Sequence, residues 1–314
     1  MNKDRLIKEI NSLKKKHNAI ILAHYYTLPE VQDIADFIGD SLALSQKAAD
    51  TSADMILFAG VNFMAETAKI LSPQKIVLSP DMEAGCSLAD SCDAQAFSKF
   101  IQQHPNHTVI SYVNTSVEVK ALTDIVCTSS NAVQVVNSVP KERGIIFGPD
   151  RNLGRYVISQ TGRDNILVWD GACHVHEEFS ANGIKELKTQ HPKAKVLTHP
   201  ECKKEVIDIS DFVGSTAAIL NFAKDDKNGK EFIIVTESGI LHKLKQECPS
   251  KTFYPAPVVN NDDNRNCHCN ECPFMKLVSL EKIYDSLKNQ TTQINIEESI
   301  RAKAELSIRR MLSL

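Results

Sequence analysis

The sequence predicts an α/β protein built of three similar α/β/α sandwich domains, each with a parallel sheet, related by pseudo-threefold symmetry around a central site. The first observation behind this is an internal repeat. Ile21–Tyr26 returns as Val109–Asn114 and again as Val196–Glu201; Tyr112 follows His24 by 88 positions (24 to 112), and His199 follows Tyr112 by 87 (112 to 199). Asp36, Asp124 and Asp211 keep these offsets, as do Ser41, Ser129 and Thr216. Matching offsets at several positions in three stretches are hard to obtain by chance. The second observation is the pattern inside each stretch, where short apolar runs alternate with amphipathic helical segments. That pattern implies parallel strands covered on both faces. The third is that no low-complexity linker separates the units, so they pack closely.

The elements follow in order. Residues 4 to 16 read as a basic amphipathic helix carrying Leu6, Ile10 and Leu13 on one face. Each unit then runs strand, helix, short strand, helix, strand, helix, strand. The third strand of the first unit, Ile56–Gly60, aligns with Ile145–Pro149 and with Ile233–Glu237. The last strands are Lys75–Leu78, Asn165–Trp169 and Thr252–Tyr254. The division expected is 1–104, 105–192 and 193–314. A closing helix over 295 to 312 places Ile296, Ile300, Ala304 and Ile308 on one face.

Composition excludes several function classes. The 314 residues carry 36 Lys+Arg and 39 Asp+Glu, a net charge of −3, which argues against a general nucleic-acid binder. The first apolar run, Ala19–Ala23, is too short for a signal-peptide core, and no run reaches the roughly 20 residues of a membrane span. The expectation is a cytoplasmic protein with neither nucleic-acid nor membrane partners. In that compartment the nine cysteines are candidate metal ligands, catalytic groups or small packing residues rather than a disulfide framework.

In parallel α/β units, ligands bind beyond the carboxyl ends of the strands. The first strands of the three units end in His24-Tyr25-Tyr26, Tyr112-Val113-Asn114 and His199-Pro200-Glu201. These residues are suited to hydrogen bonding and acid–base work, and the symmetry would aim them at one cavity. Ser41, Ser129 and Thr216 each stand just before or at the start of a helical pattern. There they read either as N-caps or as part of an anion cradle using free helix N–H groups. Cys86 and Cys173 occupy equivalent turns, 87 positions apart; the third unit is longer here and offers Cys267, Cys269 and Cys272. Zinc is one candidate for thiolates meeting near the axis, with Cys269 and Cys272 as one closely spaced pair and His174 and His176 beside Cys173 as further possible ligands, but a second such cysteine pair is missing. An iron–sulfur cluster suits thiolates drawn from distant loops, and three cysteines would leave one iron open. Cys92, Cys127, Cys202 and Cys248 read as packing residues.

At these residues the sequence resembles the quinolinate synthase family. The resemblance is carried by Ala23–Tyr26, Gly39–Ser41, Tyr112–Asn114, Cys127–Ser129, Phe147–Gly154, His199–Cys202 and Val213–Thr216. It implies condensation of iminosuccinate with dihydroxyacetone phosphate to quinolinate, with loss of phosphate and water, in de novo NAD biosynthesis. An L-aspartate oxidase would be the source of iminosuccinate. It implies one [4Fe–4S] cluster held by Cys86, Cys173 and Cys272, with one iron open as a Lewis acid. It also implies substrate binding by His24, Ser41, Tyr112, Asn114, Ser129, His199, Glu201 and Thr216, and catalysis by Tyr26, Glu201 and His199, with Tyr26 placed for proton transfer. Cys267 and Cys269 add a possible redox pair with Cys272. Two rivals share some of these features: another hydro-lyase with an open-iron cluster, and a non-enzymatic iron–sulfur carrier or sensor. The carrier has no need of polar residues at three strand ends.

Overall fold

The computed structural model describes residues 2–259 and 270–314. Its twelve strands form three parallel four-stranded sheets. The first sheet contains β1 (Ala19–His24), β2 (Phe37–Gly39), β3 (Met55–Ala59) and β4 (Ile76–Leu78). The second contains β5 (His107–Tyr112), β6 (Ile125–Cys127), β7 (Gly144–Gly148) and β8 (Ile166–Val168). The third contains β9 (Lys195–Thr198), β10 (Phe212–Val213), β11 (Glu231–Val235) and β12 (Thr252–Pro255). In all three the spatial order is second, first, third, fourth, and helices connect successive strands. The predicted α/β class and the alternation of elements are both present.

The repeated aspartates have a structural reason. Asp36, Asp124 and Asp211 precede the short second strand, and each clips it to the first strand of its own unit. The Asp36 carboxylate accepts the Ile21 N–H at 2.8 Å, and the Asp36 N–H donates to the Ile21 carbonyl. Asp124 does the same to Val109, and Asp211 to Val196. An aspartate here therefore sets the register of two strands at once.

That register corrects one alignment. Ala59, Gly148 and Val235 pair with Ala23, Ser111 and Thr198 respectively. The third unit therefore sits one residue earlier than the sequence pattern placed it: Val235, not Thr236, is the equivalent of Ala59 and Gly148. It follows that Val61, Asp150 and Glu237 are equivalent positions.

Alternate residues of each central strand face opposite sides. Leu22, Ile110 and Leu197 join one large shared core. Their neighbours Ile21, Val109 and Val196 pack outward in three separate clusters. The helices covering those outer faces are exchanged around a ring. Ala94–Gln103 follows the first sheet but packs Phe97 against Val109 and Ile146 of the second. Ala181–Gln190 follows the second sheet but packs Ile184 against Val196 and Ile233 of the third. Leu280–Asn289 returns to the first sheet, where Leu280, Ile283 and Leu287 share a cluster with Ile21 and Leu57 and with Leu6 and Ile10 of the N-terminal helix Lys3–Lys16. Each crossover begins just after a candidate cysteine turn, which draws these turns towards the centre.

The closing helix runs Glu298–Leu312 and buries Ala304, Ser307, Ile308 and Met311. Ile296 lies before its first turn, and Arg301 takes a buried place on it, donating to Glu298, Glu305 and the Ile70 carbonyl. The predicted face is thus right at Ile300, Ala304 and Ile308, and Ile296 packs against the same core from just before the helix, which starts three residues later than predicted.

Candidate active site

The carboxyl ends of the three sheets open on one cavity of about 640 Å3, its mouth included. All the site residues that the resemblance implies line it. His24, Tyr26 and Ser41 come from the first unit. Tyr112, Asn114 and Ser129 come from the second, and His199, Glu201 and Thr216 from the third. Cys86, Cys173 and Cys272 stand on the same wall system. Val61, Phe63 and Met64 add an apolar side.

The two histidines are held in one way. His24 Nδ1 accepts the backbone N–H of Tyr26 at 3.3 Å, and His199 Nδ1 accepts that of Glu201 at 3.4 Å. With Nδ1 used as acceptor, Nε2 carries the ring proton. His199 Nε2 lies 3.2 Å from Ser129 Oγ and donates to it. Burial pushes the pKa of His24 down to about 4 and that of His199 to about 3, so both rings are neutral donors near pH 7.

Glu201 is the charged centre. Burial works against its carboxylate, yet the flanking His176 and His199 rings and the Tyr112 hydroxyl hold its pKa down to about 2. Tyr112 Oη donates to Glu201 Oε1 at 2.6 Å. His176 stacks on His199 with ring centroids 4.6 Å apart. Its Nδ1 is 3.1 Å from Glu201 Oε2 but off the hydrogen-bond line, and so has no well-aligned partner. Tyr26 Oη lies 2.7 Å from Thr216 Oγ1 and 2.6 Å from Thr236 Oγ1, and Thr236 Oγ1 lies 2.9 Å from His176 Nε2. Burial pushes Tyr26 well above the usual tyrosine range, so it stays protonated. A run of polar atoms thus links a neutral hydroxyl, Tyr26, to a buried carboxylate, Glu201.

The three helix starts correct the N-cap reading. The capping residues are Asp40, which accepts the Ala43 N–H, and Ser215, which accepts the Ala218 N–H; the second-unit helix begins after Asn131. Ser41 and Thr216 are therefore the first helical residues, and Ser129 lies in the turn before its helix, which frees all three from capping. The starts do converge. Ser130 Oγ donates to Asp40 Oδ2 at 2.7 Å and lies 2.7 Å from Ser215 Oγ, joining all three units.

The cysteines separate by exposure. Cys92, Cys127, Cys202 and Cys248 are buried in packing, whereas Cys86, Cys173 and Cys272 keep part of their surface open. Cys267 and Cys269 lie outside the described residues. The backbone shows which third-unit cysteine matches the other two. Asn62 N–H donates to the Ala84 carbonyl, Arg151 N–H to that of Gly171, and Ser238 N–H to that of Asn270. Asn62, Arg151 and Ser238 are equivalent, and each accepting residue lies two before Cys86, Cys173 or Cys272. The longer third loop thus regains the repeat just before Cys272. Gly171 is needed for this approach, because a Cβ there would meet Ser91 Oγ at 2.3 Å and the Pro149 carbonyl at 2.6 Å. Burial pushes all three thiols up, Cys86 to about 12, while backbone amides two or three residues further on pull the other way.

Among the described residues, one set of potential ligand atoms closes to within 4.8 Å of one another: Cys173, His176 and Glu201. The three cysteine sulfurs do not form such a set. His176 was visible in the sequence only as a possible ligand beside Cys173. Asp40, Thr236 and Glu237 lie within the segments Gly39–Ser41 and Ile233–Glu237, where no spacing or motif singles them out. No helix among the described residues is long and apolar enough to cross a membrane.

Comparison with known proteins agrees with this geometry. A family model described as quinolinate synthetase A protein matches residues 8–313. The quinolinate synthase of Microcystis aeruginosa is 55% identical over 311 residues, covering 99% of this chain and 95% of the relative. That of Synechocystis is 55% identical over 309 residues, covering 98% and 95%. That of Trichodesmium erythraeum is 53% identical over 311 residues, covering 99% and 94%. A cavity built from three repeated strand ends, and likeness along almost the whole length, lead to one conclusion: the chain is an enzyme belonging to the quinolinate synthetase A family.

Proposed function

We propose that this enzyme condenses iminosuccinate with dihydroxyacetone phosphate to quinolinate, releasing phosphate and water, as a step of de novo NAD biosynthesis. An L-aspartate oxidase would supply the imine. The cysteine usage supports a reducing compartment, the cytoplasm. The observation that carries the reading is the convergence of three strand ends and three half-open cysteines on one cavity.

The cysteines fit a [4Fe–4S] cluster held by Cys86, Cys173 and Cys272. They come from three equivalent turns, Cys86 and Cys173 each head a helical turn, and the three sulfurs do not close on a single-ion position. When bound, such a cluster supplies a Lewis acid for the departing hydroxyl through an iron that no protein group holds. The rest falls to side chains. The Nε2–H groups of His24 and His199, with Tyr112, orient the dicarboxylate. Asn114 Oδ1, which is buried and has no hydrogen-bond partner among the described residues, accepts the imine N–H. Glu201 takes a proton and Tyr26 returns one, their proton states set by the surroundings described above. Ser41, Ser129 and Thr216 hold the phosphate end.

A single divalent cation on Cys173, His176 and Glu201 is the competing reading, favoured by the closeness of those three ligand atoms. One experiment separates the two: purify the chain anaerobically, measure iron, sulfide and zinc, and assay quinolinate formation on the same sample. The proposal expects about four irons and four sulfides per chain and quinolinate as product. Zinc without sulfide would support the competing site. A full cluster with hydration of common hydroxy acids but no quinolinate would assign a different hydro-lyase.

A further inference from the structure

The register of the sheets makes Val61, Asp150 and Glu237 equivalent, each two residues beyond the end of its paired strand. Two of these are carboxylates with no exposed surface, and both bind a candidate ligand cysteine by its main chain. Asp150 Oδ2 accepts the Cys173 N–H at 3.2 Å, while Asp150 Oδ1 caps its helix through the Asn152 and Leu153 N–H groups at 2.9 and 2.8 Å. Glu237 Oε1 accepts the Cys272 N–H at 3.1 Å, and Glu237 Oε2 accepts the Gly239 N–H at 2.7 Å. A buried carboxylate is costly unless its lone pairs are taken up, and here the cysteine amide is one of the groups that does so. Glu237 is further paired with Lys276 Nζ at 2.7 Å, and the same ammonium donates to the Tyr26 carbonyl at 2.7 Å. The first unit solves the problem differently. Its equivalent residue, Val61, is apolar, and the turn before Cys86 is held by the next residue, Asn62, whose Nδ2 donates to the Met82 carbonyl at 2.6 Å.

We propose that Asp150 and Glu237 are positioning residues for the metal centre: each fixes the backbone, and so the sulfur direction, of one cysteine. Glu237 additionally ties Cys272, through Lys276, to the strand end that carries Tyr26. This rests on the assignment of Cys173 and Cys272 as ligands. It also makes the three cysteines unequal, since no carboxylate among the described residues accepts the Cys86 N–H.

The test uses Asp150→Ser, which keeps a capping oxygen but cannot also reach Cys173, and Glu237→Gln, which keeps the volume and loses one acceptor. Two readouts are taken on the full chain. The first is the rate at which a chelator strips iron from the anaerobic protein. The second is the alkylation rate of each cysteine in the iron-free protein, resolved by mass spectrometry. Outer-shell partners typically change metal affinity about ten- to a hundredfold, and iron loss should quicken within that range. Alkylation should change at Cys173 in Asp150→Ser and at Cys272 in Glu237→Gln, with Cys86 unchanged in both. Folded variants with parental rates at every cysteine would overturn the proposal. So would a uniform change at all three cysteines, which would make the carboxylates general supports of the fold. If a variant fails to fold, Lys276→Gln, which loosens Glu237 while leaving that carboxylate in place, must alter Cys272 selectively or the proposal fails at that cysteine. Should the parent chain hold no iron–sulfur cluster, the ligand assignment falls, and the alkylation pattern still reports whether the carboxylates set these two turns.

Discussion

The first and third units end their leading strands in the same backbone turn and use it for opposite proton states. In His24-Tyr25-Tyr26 and in His199-Pro200-Glu201 the imidazole Nδ1 accepts the N–H two residues on, leaving Nε2–H as a donor. The residue two positions on then differs. Tyr26 sits among hydroxyls and keeps its proton; Glu201 sits among two imidazoles and a tyrosine and keeps its charge. The repeated scaffold therefore supplies the same neutral donor twice, while one diverged position sets whether the neighbouring group holds a proton or a charge. The second unit, with Tyr112 and Asn114 at these places, supplies a hydrogen-bond donor and an acceptor in place of the acid–base pair.

The contrast can be broken by removing its charged member. Glu201→Gln keeps the shape, removes the base and leaves Tyr112 without its ionised acceptor. Turnover should fall roughly 10³–10⁴-fold, the upper part of the general acid–base range, as measured by single-turnover quinolinate formation. A variant that retained turnover would shift proton removal to another group. The neutral member is the next largest effect. If the hydroxyl returns the proton as proposed, Tyr26→Phe should lower kcat by about 10²–10³-fold with a smaller change in KM. Equal changes in both would make Tyr26 a binding group. Ser129→Ala sharpens the comparison on the side of the His199 donor. Loss of a hydrogen bond to a charged group costs about 1.5–3 kcal/mol, so kcat/KM should fall roughly ten- to a hundredfold with the fold intact. Parental kinetics would leave Ser129 as a cavity wall only.

The smallest effect is on stability against pH. His24 and His199 titrate at about 4 and about 3 in the folded chain, against 6.5 for an ordinary histidine. Below pH 6.5 the unfolded chain binds protons there that the folded chain refuses, so stability falls as pH drops from 6.5 towards 4. The slope is at most about 1.4 kcal/mol per pH unit for each histidine. Glu201 acts in a lower window: its depressed pKa contributes stability above about 4.5 that is lost as pH falls through about 2. Thermal melts of the iron-free chain from pH 7 to 5 should show the decline, and His24→Gln should reduce its slope by about half. An unchanged slope would mean that His24 is protonated in the folded chain.

Much of this architecture was legible because the repeat is anchored by residues with two tasks. Asp36, Asp124 and Asp211 each bond the first strand through both carboxylate and N–H, so they tolerate no shift in position. The third strands carry no such anchor. Runs of similar apolar residues read equally well one place along, and only the sheet pairing puts Val235 opposite Thr198. That slip hid the equivalence of Asp150 and Glu237. The helix starts failed for a related reason. Asp40 beside Ser41, and Ser215 beside Thr216, are pairs in which either residue is a good cap, and the backbone chooses the first. The site residues at strand ends were legible since topology alone aims them at the cavity. The link from Tyr26 through Thr236 to His176 was not, because it joins side chains from different loops.

In the function proposed above, one metal centre is shared among three units. The direct measurement is the iron and sulfide content of anaerobically purified single-cysteine variants. Cys86→Ala, Cys173→Ala and Cys272→Ala should each lose the cluster and its visible absorbance, while Cys267→Ala and Cys269→Ala keep it and at most alter a thiol–disulfide response of Cys272. The reverse pattern, with Cys267 and Cys269 essential and Cys86 and Cys173 dispensable, would place the metal in the 267–272 loop alone and contradict the account.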